Sequence, residues 1–120
     1  SPAASMLPDT GSSHTITVAV VYDFSQTNAC SSTVTSGCIK QFNVYNTTGG
    51  AKTLIFSIAA PSGAAASTTV TGTSPTMSLP VGTTSLAVTA ATPDPIESAP
   101  ATGTVSVAPN APTSCTVTLN

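Results

Sequence analysis

Three cysteines carry most of the reactive chemistry available to this chain. Cys30 and Cys38 enclose the short polar stretch SSTVTSG, and with no histidine or further cysteine inside it a zinc site cannot be completed there. The spacing points to a local disulfide, the state expected in an oxidising compartment. Two reduced thiols in a cytosolic protein are the alternative, and the hydroxyl-rich composition argues against it. Cys115 is left over, as an unpaired thiol or as one that bonds between subunits.

The remaining candidates have less to work with. His14 is the sole histidine, flanked by Asp9 and Asp23, but general acid–base work needs a nucleophile and an oriented base that these segments do not supply. It reads as a solvated residue at the start of a strand. Asp94 and Glu97 lie in TPDPIES without the further oxygen ligands of a calcium loop, and read as a solvated turn. Asn46 opens Asn-Thr-Thr, a glycosylation triplet in a predicted turn. Phe24, Phe42 and Phe56 are assigned to the core, so Tyr22 and Tyr45 are too few for an aromatic sugar-binding platform. No catalytic residue, metal or cofactor is therefore assigned, and the expected role is not enzymatic.

Composition narrows the partners further. Charged residues make up 5% of the 120 and arginine is absent, against about a quarter charged in an ordinary soluble domain. Nothing can neutralise a run of phosphates, which excludes nucleic-acid binding. Counting 17 serines and 23 threonines, hydroxyls must keep the surface wet, and threonine suits both strands and O-linked sugar. Attached glycans are thus expected partners. The longest apolar run, Ile16 to Tyr22, is interrupted by Thr17 and cannot span a membrane. The opening SPAASMLPD lacks the basic start and apolar centre of a secretory signal, and the expectation is a mature, secreted chain at the cell surface or outside it.

The elements that position these residues are strands. Ten prolines and eight glycines interrupt every helical window, and PSGAAAST reads as loop. Period-two alternation predicts strands in HTITVAVVYDF with Ile16, Val18, Val20 and Tyr22 on one face, and in IKQFNVYN with Phe42 and Val44 inward. It predicts others in AKTLIFSIA with Leu54, Phe56 and Ile58 aligned, in TTVTG, in PTMSLP with Met77 and Leu79, in TSLAVTAAT with Leu86, Val88 and Ala90, and in GTVSV with Val105 and Val107. About seven antiparallel strands imply an all-β sandwich.

The stretch FNVYN, together with TSLAVTAATPDPIESAPATGTVSV, resembles the fibronectin type III-like, immunoglobulin-like modules of bacterial surface and secreted proteins, over roughly Ile16 to Val107. The resemblance implies a sandwich over residues 14–107, preceded by an N-terminal extension, 1–13, and followed by a C-terminal segment, 108–120. Such modules begin with a strand that SPAASMLPDTGSS does not provide. The best match is APNAPTSCTVTLN, where Cys115, Val117 and Leu119 alternate with polar residues, so the first strand is displaced to the C-terminus.

Three arrangements of that strand stay open: donation to a neighbouring copy, membership of the next module in a tandem array, or closure onto its own domain. Donation predicts a head-to-tail filament subunit, with Ile16, Val18 and Val20 as the acceptor strand. Antiparallel pairing would bring Cys115 near the loop of Cys30 and Cys38, buried as a free thiol or exchanging with that bond. The alternative function is a non-catalytic binding or spacer module of a larger secreted enzyme or adhesin.

Overall fold

Alternation of branched and hydroxyl residues builds β2 (Thr17–Asp23), whose side chains are in turn exposed and half-buried along its length. The computed structural model describes residues 12–120, so most of the 1–13 extension, with Met6, Leu7 and Asp9, lies outside the described residues. The rest is all-β: β1 (Ser12–His14), β2, β3 (Gln41–Asn46), β4 (Thr53–Ala59), β5 (Ser67–Thr73), β6 (Met77–Leu79), β7 (Gly82–Ala91) and β8 (Ala101–Val107). The described residues contain no α-helix. The predicted NTTGG turn is a single 3-10 turn, Thr48–Gly50, in which Gly49 takes φ 76°, a conformation that side-chain-bearing residues avoid.

Eight strands replace the seven expected, because the continuous strand read from His14 to Phe24 is broken. Ser74, 5% exposed, accepts the Ile16 amide on its Oγ at 2.9 Å and donates its own amide to the Ile16 carbonyl at 2.9 Å. β1 then pairs with β6 while β2 pairs with β5, both antiparallel. Pro75, which has no N–H to donate, follows Ser74 and ends the β5 ladder. β1 also begins two residues before the boundary read at residue 14.

A four-stranded antiparallel sheet in the order β4-β3-β7-β8 forms the other layer. Its inward residues Phe42, Val44, Ile58 and Ala90 meet Val70 of β5 together with Val18 and Val20 of β2. A second cluster joins Ile16, Leu79 and Leu86, with Val105 and Val107 against it. Tyr22, Phe24 and Phe42 pack edge to face, with ring centroids 4.8, 5.3 and 6.1 Å apart, an arrangement favoured by the ring quadrupoles. Leu54 does not join this face as expected and is exposed. The pairing of β3 with β4 shifts by one residue after Val44, and a one-residue shift sends the rest of a strand's side chains to the other face.

Cys30 and Cys38 form the local disulfide, with Cα atoms 4.9 Å apart. It closes beside a parallel bridge between Ala29 and Ile39, held by the Cys30 amide donating to the Ile39 carbonyl and the Ile39 amide to Asn28, at 2.9 and 3.0 Å. Cys38, Ala29 and Ile39 are all buried, so the bond anchors the loop to the core.

Residues 108–120 differ from everything before them. They are exposed throughout and enter no ladder of any of the three sheets. The radius of gyration is 19.5 Å and the molecule measures 73 × 26 × 24 Å, whereas a compact body of this length has a radius of about 13 Å. Extended at ~3.3 Å per residue, the segment reaches about 43 Å, which accounts for the elongation.

Candidate functional site

Among the described residues, one open surface lies between β2 and β8. β2 pairs on one side with β5, β8 pairs on one side with β7, and each leaves its other edge without a strand partner among the described residues. Between these edges runs a groove of about 480 Å³, lined by Thr15–Val21, by Ala101–Val105, and at its floor by Leu86 and Val88. A smaller hollow of about 220 Å³ continues it past Val20 to Tyr22 and Phe42.

Val18 and Val20 point to the floor and stay half-buried because nothing lies over them, while Val21 on the rim is 72% exposed. Unpaired amides and carbonyls beside bare valines make such an edge ready to pair with another strand. The acceptor residues expected from the sequence, Ile16, Val18 and Val20, all border this groove.

The residues expected from the sequence to form a strand-exchange face lie elsewhere. Val117 and Leu119 are 88% and 97% exposed, and Cys115 is a free, exposed thiol. The burial expected for Cys115 is thus absent in the single chain, because residues 108–120 do not close onto its own sheets.

On the outer face of the four-stranded sheet sits a polar cluster that the sequence did not disclose. Glu97 Oε1 accepts from the Tyr45 hydroxyl at 2.6 Å, from Asn43 Nδ2 at 3.3 Å and from the Thr89 hydroxyl. These donors, the Thr89 hydroxyl foremost, hold its carboxyl down at about 2, and Glu97 in return raises the Tyr45 phenol above its ordinary value. Gln41 and Ser57 complete the cluster by donating to Asn43 Oδ1 at 2.7 and 2.8 Å, and Lys52 Nζ stands 4.4 Å above the Tyr45 ring. Asp94 and Glu97 are both exposed, as a solvated turn predicts, but they differ in their partners. Asp94 takes only a local bond from the Thr92 hydroxyl, whereas Glu97 latches its loop onto β3 and β7. One signal was present, the polar alternation Gln41, Asn43, Tyr45 along β3, but nothing in it names a partner more than 50 residues away.

His14 stands opposite Met77 in the β1–β6 ladder. Among the described residues no group of three or more His, Cys, Asp or Glu is placed to hold a metal ion. Asn46 ends β3 half-buried, its Oδ1 accepting the Thr48 amide at 2.9 Å. No helix among the described residues is long and apolar enough to cross a membrane. Comparison with protein-family models, with curated proteins and with solved structures found no match for this chain.

Proposed function

We propose that this chain is a structural subunit of an extracellular filament or surface assembly, joined head-to-tail by passing residues 114–120 into the open groove of the next copy. One observation carries the reading: an empty strand position between β2 and β8 stands in a molecule that holds out an exposed, alternating segment. Each half lacks what the other has. The added strand would pair with the free edges and cover Val18 and Val20, the peptide-recognition mode of β-strand addition.

The order of strands supports an immunoglobulin-like, fibronectin type III-like sandwich whose first strand comes from a neighbour. A contact between two different surfaces that does not close on itself propagates as a filament. Burying a valine and a leucine contributes about 1.5–3 kcal/mol each, added to the backbone pairing. The Cys30–Cys38 disulfide and the scarcity of charge suit a location outside the cell.

The test is the double variant Val117→Asp, Leu119→Asp in the full chain. Both side chains are exposed in the single chain, so the body should fold as before, while two carboxylates cannot enter an apolar groove. Sedimentation should show multimers for the native protein and monomers for the variant. A native protein that stays monomeric at high concentration would instead favour the spacer module.

A further inference from the structure

The direction and depth of the incoming strand follow from how β2 and β8 are placed. β8 begins with Ala101 beside Val20 and Val21, and its later residues Val105 and Val107 pack against the cluster of Ile16. The two edges of the groove therefore run in opposite directions, and a strand between them is antiparallel to one and parallel to the other. The exposed segment follows β8 and leaves the body at the Ile16 end. The 73 Å long axis against 26 and 24 Å across means that it carries on outward and does not turn back.

Resting on the exchange reading, we infer that the segment enters a second copy at the Val21 end and runs antiparallel to β2, with Cys115 opposite Val20, Val117 opposite Val18 and Leu119 opposite Ile16. Copies stacked in one orientation require this polarity, since a segment that continues the direction of β8 stays parallel to β8 in the next copy. Closure onto its own chain would reverse it, making the strand parallel to β2.

Parity and length set the register. A one-residue slip turns Thr116 and Thr118 inward. A two-residue slip places Leu119 opposite His14 or Cys115 opposite Tyr22, and neither lies within the Thr15–Val21 stretch that lines the main groove. The assigned register also sets the smallest side chain, Cys115, at the end where Tyr22 and Phe42 already fill space. Leu119 falls where Ile16, Leu86 and Val105 form the floor.

The same register bounds the filament. Val105 and Leu119 are 14 positions apart, and Leu119 comes to the level of the neighbour's own Val105. At ~3.1–3.3 Å per residue, the axial repeat is at most about 46 Å per copy.

Disulfide trapping tests polarity and register together. Val20→Cys should yield, on non-reducing gels, a ladder of multimers that collapses on reduction, with mass spectrometry joining position 20 of one copy to Cys115 of the next. Ile16→Cys and Val18→Cys should give no ladder. A ladder from Ile16→Cys would mean reversed polarity, and one from Val18→Cys a two-residue slip. A monomer internally bonded between position 16 and Cys115 would mean closure at home. Each of these overturns the inference, as does the absence of a ladder from Val20→Cys protein that still assembles. If native protein forms no multimers, the exchange reading itself falls. Should Val20→Cys misfold, electron microscopy of unmodified filaments decides, because a repeat well above 46 Å excludes the assigned register.

Discussion

At the scale of single residues, the hydrogen bonds onto Glu97 tie the latched loop to pH. The Glu97 carboxyl titrates at about 2 against an ordinary 4.5, so the native state favours the charged form. The stabilisation it contributes is fully present above the unfolded value and is lost as pH falls through about 2. Because Glu97 is solvent-exposed, the effect is modest. Melting temperature should decline on acidification through that window, and Glu97→Gln should flatten the decline. In the alkaline direction Tyr45, raised chiefly by its hydrogen bond to Glu97, should ionise nearer its ordinary value in the same variant, followed by ultraviolet absorbance. Equal alkaline titrations of variant and native protein would mean that the Tyr45–Glu97 bond does not form in solution.

Strand-to-strand packing raises a different question, which is how closely the two layers can approach. Gly72 of β5 lies opposite Val18 of β2, and a methyl added there would stand 2.6 Å from Ile58 Cγ1. Ile58 is 6% exposed and packed within the main core cluster, so accommodating the methyl requires its side chain to shift. Gly72→Ala should cost about 1–3 kcal/mol through overpacking, read by chemical denaturation, and the additional Ile58→Val should recover part of it. The disulfide acts on the same scale. Closing so short a loop restricts the unfolded chain by about 2–3 kcal/mol, so replacing Cys30 and Cys38 together by Ala should lower stability by that amount. A much larger loss would mean that the buried Ala29–Ile39 bridge fails with it.

For the whole molecule, the unpaired edges dominate. On the proposed exchange, a partner copy would cover the half-buried Val18 and Val20, so stability would become linked to concentration. The melting temperature of the native protein should rise with protein concentration, whereas that of the Val117→Asp, Leu119→Asp variant should not. A concentration-independent native melting temperature would count against exchange. Under the proposed exchange, assembly would also change the state of Cys115. The thiol is exposed in the single chain and would be covered in the register assigned above, so thiol reagents should label disassembled protein faster than filaments.

Local pattern carried a good part of this outcome. Alternation along Ile16–Tyr22, Phe42–Val44 and Cys115–Leu119, the spacing of Cys30 and Cys38, and the shortage of charge were enough to derive an all-β chain with a local disulfide and a terminal segment patterned as a strand. These are properties of near neighbours, where side-chain period and loop length decide. Contacts between distant residues were not legible. The Ser74 bonds that break the first strand and the grip of Asn43 and Tyr45 on Glu97 each join residues more than 50 positions apart in the chain. The vacancy between β2 and β8 is of the same kind, because an edge is open or closed only by virtue of what stands beside it in space. Sequence alone determined that residues 115–119 could be a strand. Tertiary structure decided that residues 108–120 stand exposed outside every ladder of the single chain while β2 and β8 each keep one unpaired edge, because edge pairing depends on what folds alongside in space.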